Sequence, residues 1–282
     1  MIDSQQILRP ADTGELRDIM ADAAADHRVL EIRAGGSKRA IGRPRRMANI
    51  LDIGSLAGIV DYEPSELVLT TRPATPLAEV ETLLASHGQM LAFEPWDHGP
   101  LFGCPASKAT IGGIVAAGVA GSRRVSAGGA RDHLLGFSAV SGRAELFKAG
   151  GKVVKNVTGY DVSKVMAASW GQLAVMTELT LKIVPRPKTV STVFLSDLRA
   201  STAIQAMAKA LGSPVSPAAA AHLPTWGNSV GAIAIRIEGF AESVAARAAQ
   251  MIHILSDFAP ARLMAEEQAN DLWAAVHEVR PL

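Results

Sequence analysis

One cysteine, Cys104, is all that the 282 residues contain. A lone thiol excludes an intrachain disulfide, a cysteine-ligated iron–sulfur cluster and a structural zinc site, and it points to a reducing compartment. An excess of charge of either sign is missing as well, since 28 Lys and Arg stand against 27 Asp and Glu. That balance supplies neither the basic surface that draws nucleic acid nor the patch that draws anionic lipid, so neither partner is expected. The longest small-and-apolar stretch, residues 109–121, falls short of the ~20 residues that cross a bilayer. The amino terminus lacks the basic start and apolar run of a signal peptide, so a cytoplasmic location is expected. Two nucleotide motifs are absent: no Gly-x-Gly-x-x-Gly follows a strand-like run, and no Gly-Lys-Ser/Thr loop occurs. The seven histidines show no paired spacing suited to a metal.

What is present suffices for two cores, with 48% hydrophobic residues. Asp12 with Glu15 has capping-box spacing, and Leu16, Ile19, Met20 and Ala23 follow at helical intervals, predicting a helix over 14–26 and a strand from Val29 to Ile32. Leu67 to Thr71 reads as a strand. Thr75 is the expected N-cap with Pro76 at the first helical position; Leu77, Val80 and Leu84 mark the buried face, and Gly88 the stop. A strand from Met90 to Phe93 would complete a βαβ unit with a parallel pair. Val153 and Val154 suggest a short strand, and residues 175–184 alternate as a strand with one wet face. Pro185 and Pro187 mark a boundary, predicting domains at 1–186 and 187–282. Beyond it the order is strand 189–195, helix 200–211, strand 217–223, strand 231–238, helix 241–256 and strand 261–265, the ferredoxin-like plan, before a last helix over 266–279.

Three glycine-rich segments stand beside strand-like runs: Ala34-Gly35-Gly36-Ser37-Lys38, Thr110-Ile111-Gly112-Gly113, and Lys155-Asn156-Val157-Thr158-Gly159-Tyr160-Asp161. Without a Cβ in the way, main-chain N–H groups approach an anion closely. The second segment continues through Gly118 to Gly128-Gly129-Ala130-Arg131-Asp132, and the third leads to Gly171-Gln172-Leu173-Ala174-Val175. In this order the segments resemble the FAD-binding domain of the vanillyl-alcohol-oxidase (PCMH-type) flavoprotein family. Leu51-Asp52-Ile53 and residues 59–68 and 88–95 are similar in particular to the flavin subunit of glycolate oxidase complexes.

The resemblance implies an α+β fold: a PCMH-type FAD-binding domain of two α+β subdomains, followed by a ferredoxin-like α/β cap that is shortened here. It implies FAD contacts at Gly35, Gly36, Ser37 and Lys38, at Thr110, Ile111, Gly112, Gly113 and Gly118, and at Asn156, Gly159, Tyr160 and Val175. Ala34 replaces the family's usual glycine, and Gly171-Gln172-Leu173-Ala174 replaces Gly-Thr-Leu-Gly. No histidine lies in the first loop, so the FAD is expected to be non-covalent. Gly112→Val is expected to block FAD while sparing the fold. Arg131 is expected to order backbone, Trp170 and Trp273 to lie in cores, and Arg43, Arg45 and Arg46 to form a solvated cluster open to an anionic partner. The implied partners are a larger catalytic FAD subunit and an iron–sulfur subunit, through which the chain would meet the inner membrane peripherally. A small 2-hydroxy acid is the implied substrate of the complex, and no catalytic residue is assigned. A non-catalytic assembly subunit and a self-sufficient flavin oxidase are the alternatives.

Overall fold

A computed structural model describes residues 6–42, 49–151 and 160–279. Two compact units emerge, residues 1–119 with 129–185, and residues 120–128 with 186–282.

The first unit begins with β1 (Gln6–Leu8), α1 (Thr13–Ala25), β2 (Leu30–Arg33) and β3 (Asn49–Asp52). Asp12 caps α1 by accepting from Glu15 N at 2.9 Å, and Glu15 accepts from Ala11 N at 2.6 Å, one residue before the reciprocal position of the capping box. β3 lies between β1 and β2 and is parallel to both. Then come β4 (Ile59–Glu63), β5 (Val68–Thr71), α2 (Leu77–Ser86), β6 (Gln89–Met90) and α3 (Ile111–Ala117). The unit ends with β7 (Leu134–Ser141), β8 (Leu146–Gly150), β9 (Ala174–Lys182) and β10 (Val184–Pro185). An antiparallel sheet runs β4-β5-β9-β7-β8.

The expected βαβ unit does not form. β4 and β9 already occupy both edges of β5, so β6 has no edge there and pairs antiparallel with β10 instead. Thr75 does not cap α2, whose N-cap position is Pro76. Its buried hydroxyl accepts from Gly58 N at 2.9 Å and donates to Arg72 O at 2.7 Å, tying two loops together. Leu77, Val80 and Leu84 are buried as the spacing requires, each burial stabilising by roughly 1.5–3 kcal/mol.

β9 is not wet on one face either. Val175 packs with Leu16, Leu51 and Val140, whereas Met176, Leu179 and Leu181 join the cluster containing Val80 and Ile114 from α2 and α3. A central strand is covered on both faces, and its buried polar member Thr180 meets the Thr70 hydroxyl at 3.1 Å. The short strand expected at Val153 and Val154 lies outside the described residues.

The second unit contains β11 (Thr189–Leu195), α4 (Ala200–Leu211), β12 (Ala219–Trp226), β13 (Ser229–Gly239), α5 (Ala241–Leu255), β14 (Arg262–Leu263) and α6 (Glu266–His277). Its antiparallel sheet, β12-β13-β11-β14, has the ferredoxin-like strand order. Small residues Ala203, Ala206 and Ala248 let α4 and α5 pack with Ile233, Ile235 and Ile237, while Leu272 and Trp273 of α6 cluster with Phe194 and Ala234. Residues 120–128 belong to this unit because Arg123 reaches Glu238 at 2.7 Å, a carboxylate shared with Arg236 at 3.0 Å. The Arg236 guanidinium lies 4.6 Å from the centre of the Trp273 ring.

Candidate functional site

The first two glycine segments meet within the first unit. β2 ends at Arg33 and the chain turns at Gly36, whose φ of +74° lies in the left-handed region that favours glycine. A Cβ on Gly35 would stand 1.7 Å from Lys108 O and 3.3 Å from Thr110 Cγ2, so the first loop rests directly on the backbone leading into the second. Among the described residues, no protein acceptor engages the amides of Gly35, Gly36, Ser37 or Lys38, and Ser37 is buried. Four consecutive N–H groups without an internal partner are the donor set of an anion nest.

The second segment is built differently. Thr110 caps α3 by accepting from Gly113 N at 3.3 Å, while Ile111 N donates to Thr75 O at 3.0 Å and Gly112 N to Pro73 O at 2.8 Å. These amides are already used within the protein. A Cβ on Gly112 would come within 2.5 Å of Pro73 Cβ and 2.7 Å of Pro73 O, so Gly112→Val cannot leave the fold intact. A Cβ on Gly113 would instead stand 3.2 Å from Thr110 Oγ1 and 3.9 Å from Lys38 Nζ, facing the first loop. Gly118 ends α3 with φ +67°, and its Cβ would strike Ala168 Cβ at 2.7 Å, a packing position.

Lys38 reaches from the first loop toward Gly113 of the second. Its Nζ is 3.4 Å from Ser37 Oγ. Burial lowers its pKa from 10.5 to about 8, against the opposing pull of Asp97. Asp97 accepts from Gly99 N at 2.9 Å and Lys108 N at 3.2 Å, fastening its loop to the residue on which Gly35 rests. His98 stacks on Trp96 with ring centres 3.6 Å apart, and burial, then the Lys38 charge, lowers its pKa. Sequence reasoning passed over Asp97 and His98. The available signal was an aspartate two residues before a glycine, the spacing of an Asx turn. Beside these loops lies a depression of about 200 Å³ bounded by Ala34, Gly35, Gly54, Pro76, Lys108 and Thr110.

The remaining residues scatter. Val175 lies in the core under β3, and Tyr160 is 97% exposed. Asn156 and Gly159 fall outside the described residues, as do Arg43, Arg45 and Arg46. Arg131 donates to Lys164 O at 3.2 Å, ordering backbone, while Asp132 accepts from Gly129 N at 2.8 Å. Trp273 is buried as expected, but Trp170 is half-exposed. Cys104 is half-buried and free. No group of three metal-ligating side chains occurs among the described residues, and no helix among them is long and apolar enough to cross a membrane.

A nest of four amides, a buried hydroxyl and a partly buried ammonium fits a diphosphate, the anionic centre of FAD. The family model for the FAD binding domain matches residues 4–150. Glycolate oxidase subunit GlcE of Escherichia coli (strain K12) is 36% identical over 273 residues, covering 96% of this chain and 70% of the relative. Glycolate oxidase subunit GlcD of Bacillus subtilis (strain 168) is 26% identical, covering 75% of this chain but 44% of its own length. An alkyldihydroxyacetonephosphate synthase structure superposes with a TM-score of 0.75 at 18% identity, covering 97% of this chain and 55% of that one, a likeness of fold. The chain belongs to the FAD-binding domain family of flavoprotein oxidoreductases, and within it groups with GlcE. FAD is the cofactor this membership assigns.

Proposed function

We propose that this chain is the FAD-binding subunit of a complex that oxidises a small 2-hydroxy acid, glycolate being the substrate class named by its relatives. The observation that carries this reading is the run of amides from Gly35 to Lys38 that have no acceptor among the described residues, on the loop that carries the Lys38 ammonium. Gly35, Gly36, Ser37 and Lys38 would hold the diphosphate, and Gly113 would let it approach α3. Bound flavin supplies the two-electron redox chemistry, while the protein supplies binding and electrostatics.

Substrate oxidation is assigned to the complex. Taking a hydride from the α-carbon needs a base, commonly His, and a cation for the carboxylate within hydrogen-bond reach of one another. In the second unit His253 lies exposed on α5, His222 on β12 and His277 at the end of α6, on three separate elements. One cysteine cannot ligate an iron–sulfur cluster, so electrons would leave through an iron–sulfur subunit and a larger flavin subunit, in the cytoplasm or at the inner face of the membrane. The experiment is anaerobic mixing of the FAD-loaded chain with glycolate, alone and with a GlcD-type subunit. Flavin reduction only in the presence of the partner is expected; reduction of the isolated chain within seconds would make it a self-sufficient oxidase.

A further inference from the structure

Lys38 differs from the other members of the nest in being titratable. Its side chain folds back from the first loop toward α3, so that Nζ lies beside Ser37 Oγ and faces Gly113. The 3.4 Å contact with Ser37 is its one hydrogen bond among the described residues, and no described carboxylate is within ion-pairing distance. Asp97 is the neighbouring anion; its two oxygens accept from the amides of Gly99 and Lys108, and it acts on Lys38 through charge without an ion-pair contact. A cation held this way, on a loop whose four amides also lack an acceptor among the described residues, is available to an anion.

We infer that Lys38 is a proton-linked clamp for the FAD diphosphate: its ammonium is completed as an ion pair only when the cofactor enters, and above neutral pH the chain takes up a proton in binding FAD. The inference rests on the FAD reading above and specifies which group makes affinity depend on pH. Before the cofactor binds, burial holds Lys38 at about 8, so a growing fraction is neutral above that pH. A diphosphate beside it favours the charged form and raises that value, and linkage then requires net proton uptake. Other groups facing Lys38 do not produce the same dependence. From the 96–99 loop, Asp97 and His98 face it, and burial together with the Lys38 charge pushes His98 below its ordinary value, away from this range. Thr110 and Gly113 from α3 do not titrate. Arg39, next on the same loop, lies 3.5 Å from Glu31, and Lys108 is exposed.

The test is calorimetric titration of the apoprotein with FAD from about pH 7.5 to about pH 9.5, in buffers of different ionisation enthalpy, with circular dichroism to confirm folding. Wild-type affinity should fall about 25-fold across that range if the complex keeps Lys38 charged, starting from a free value of about 8, with proton uptake rising in parallel. Lys38→Arg, charged at every pH used, should bind with a nearly flat profile. Lys38→Met should bind more weakly than wild type at pH 7.5, also with a flat profile. A pH-independent wild-type affinity, or a slope that survives in folded Lys38→Arg, overturns the inference while leaving FAD binding in place. Failure of the folded wild-type chain to bind FAD at pH 7.5 overturns the cofactor reading and the inference together.

Discussion

Lys38→Met should make the apoprotein more stable near neutral pH while weakening its hold on FAD. Lysine in an unfolded chain titrates near 10.5, and in the folded apoprotein Lys38 does so at about 8. The folded state therefore binds the proton less well, and a charged Lys38 opposes folding below pH 8. The penalty fades as pH rises through that window and is gone above 10.5. The full difference corresponds to roughly 3 kcal/mol, and remaining solvent contact together with the lost Ser37 interaction bring the expected gain to about 1–3 kcal/mol. Methionine is unbranched and of similar length, so it should fill the same space. Thermal unfolding of the apoproteins at pH 7 should show Lys38→Met melting a few degrees higher, with the advantage shrinking toward pH 10. A variant that is less stable at pH 7, or whose advantage is as large at pH 10, would refute desolvation as the cause.

Gly112→Ala and Gly113→Ala should separate packing from binding. The first should destabilise by about 2 kcal/mol or more, because its methyl meets Pro73 at 2.5 Å, whereas the second should fold normally and bind FAD several-fold more weakly, read by melting and flavin fluorescence quenching. Glu238→Ala removes the partly buried carboxylate shared by the buried Arg123 and Arg236 and should cost about 3 kcal/mol in chemical denaturation, an effect absent if solvent screens the cluster. Acid precipitation of the FAD-loaded chain should leave yellow flavin in the supernatant; colour in the pellet would reveal a covalent link.

Local chemistry was legible in the sequence and long-range pairing was not. Asp12 and Glu15, the buried face of α2 and the strand order of the second unit follow from spacing rules that act within one element or between successive ones. Where β6 would pair depended on β5 having both edges filled by strands distant in sequence. Alternation in β9 suggested a wet face of Met176, Glu178, Thr180 and Lys182, yet Met176 is buried in the core and Thr180 is buried and satisfied once Thr70 faces it. At the site, the proximity of the first two loops was implied by their glycines, but similar glycines proved to have different physical reasons. Gly35 and Gly112 allow close contact with Lys108 and Pro73, while Gly113 faces Lys38. Asp97 and His98 acquire their role only because Lys38 folds toward them, and no local pattern reports that.

The central claim is that the Gly35 to Lys38 nest holds the diphosphate of FAD, and titration of flavin-free protein with FAD, with ADP as competitor, tests it most directly. The account predicts saturable uptake of one FAD per chain, a protein-bound flavin spectrum, and displacement by ADP, which presents the same diphosphate without the flavin. A folded chain that takes up no FAD, or binds it with no competition from ADP even in large excess, would contradict it.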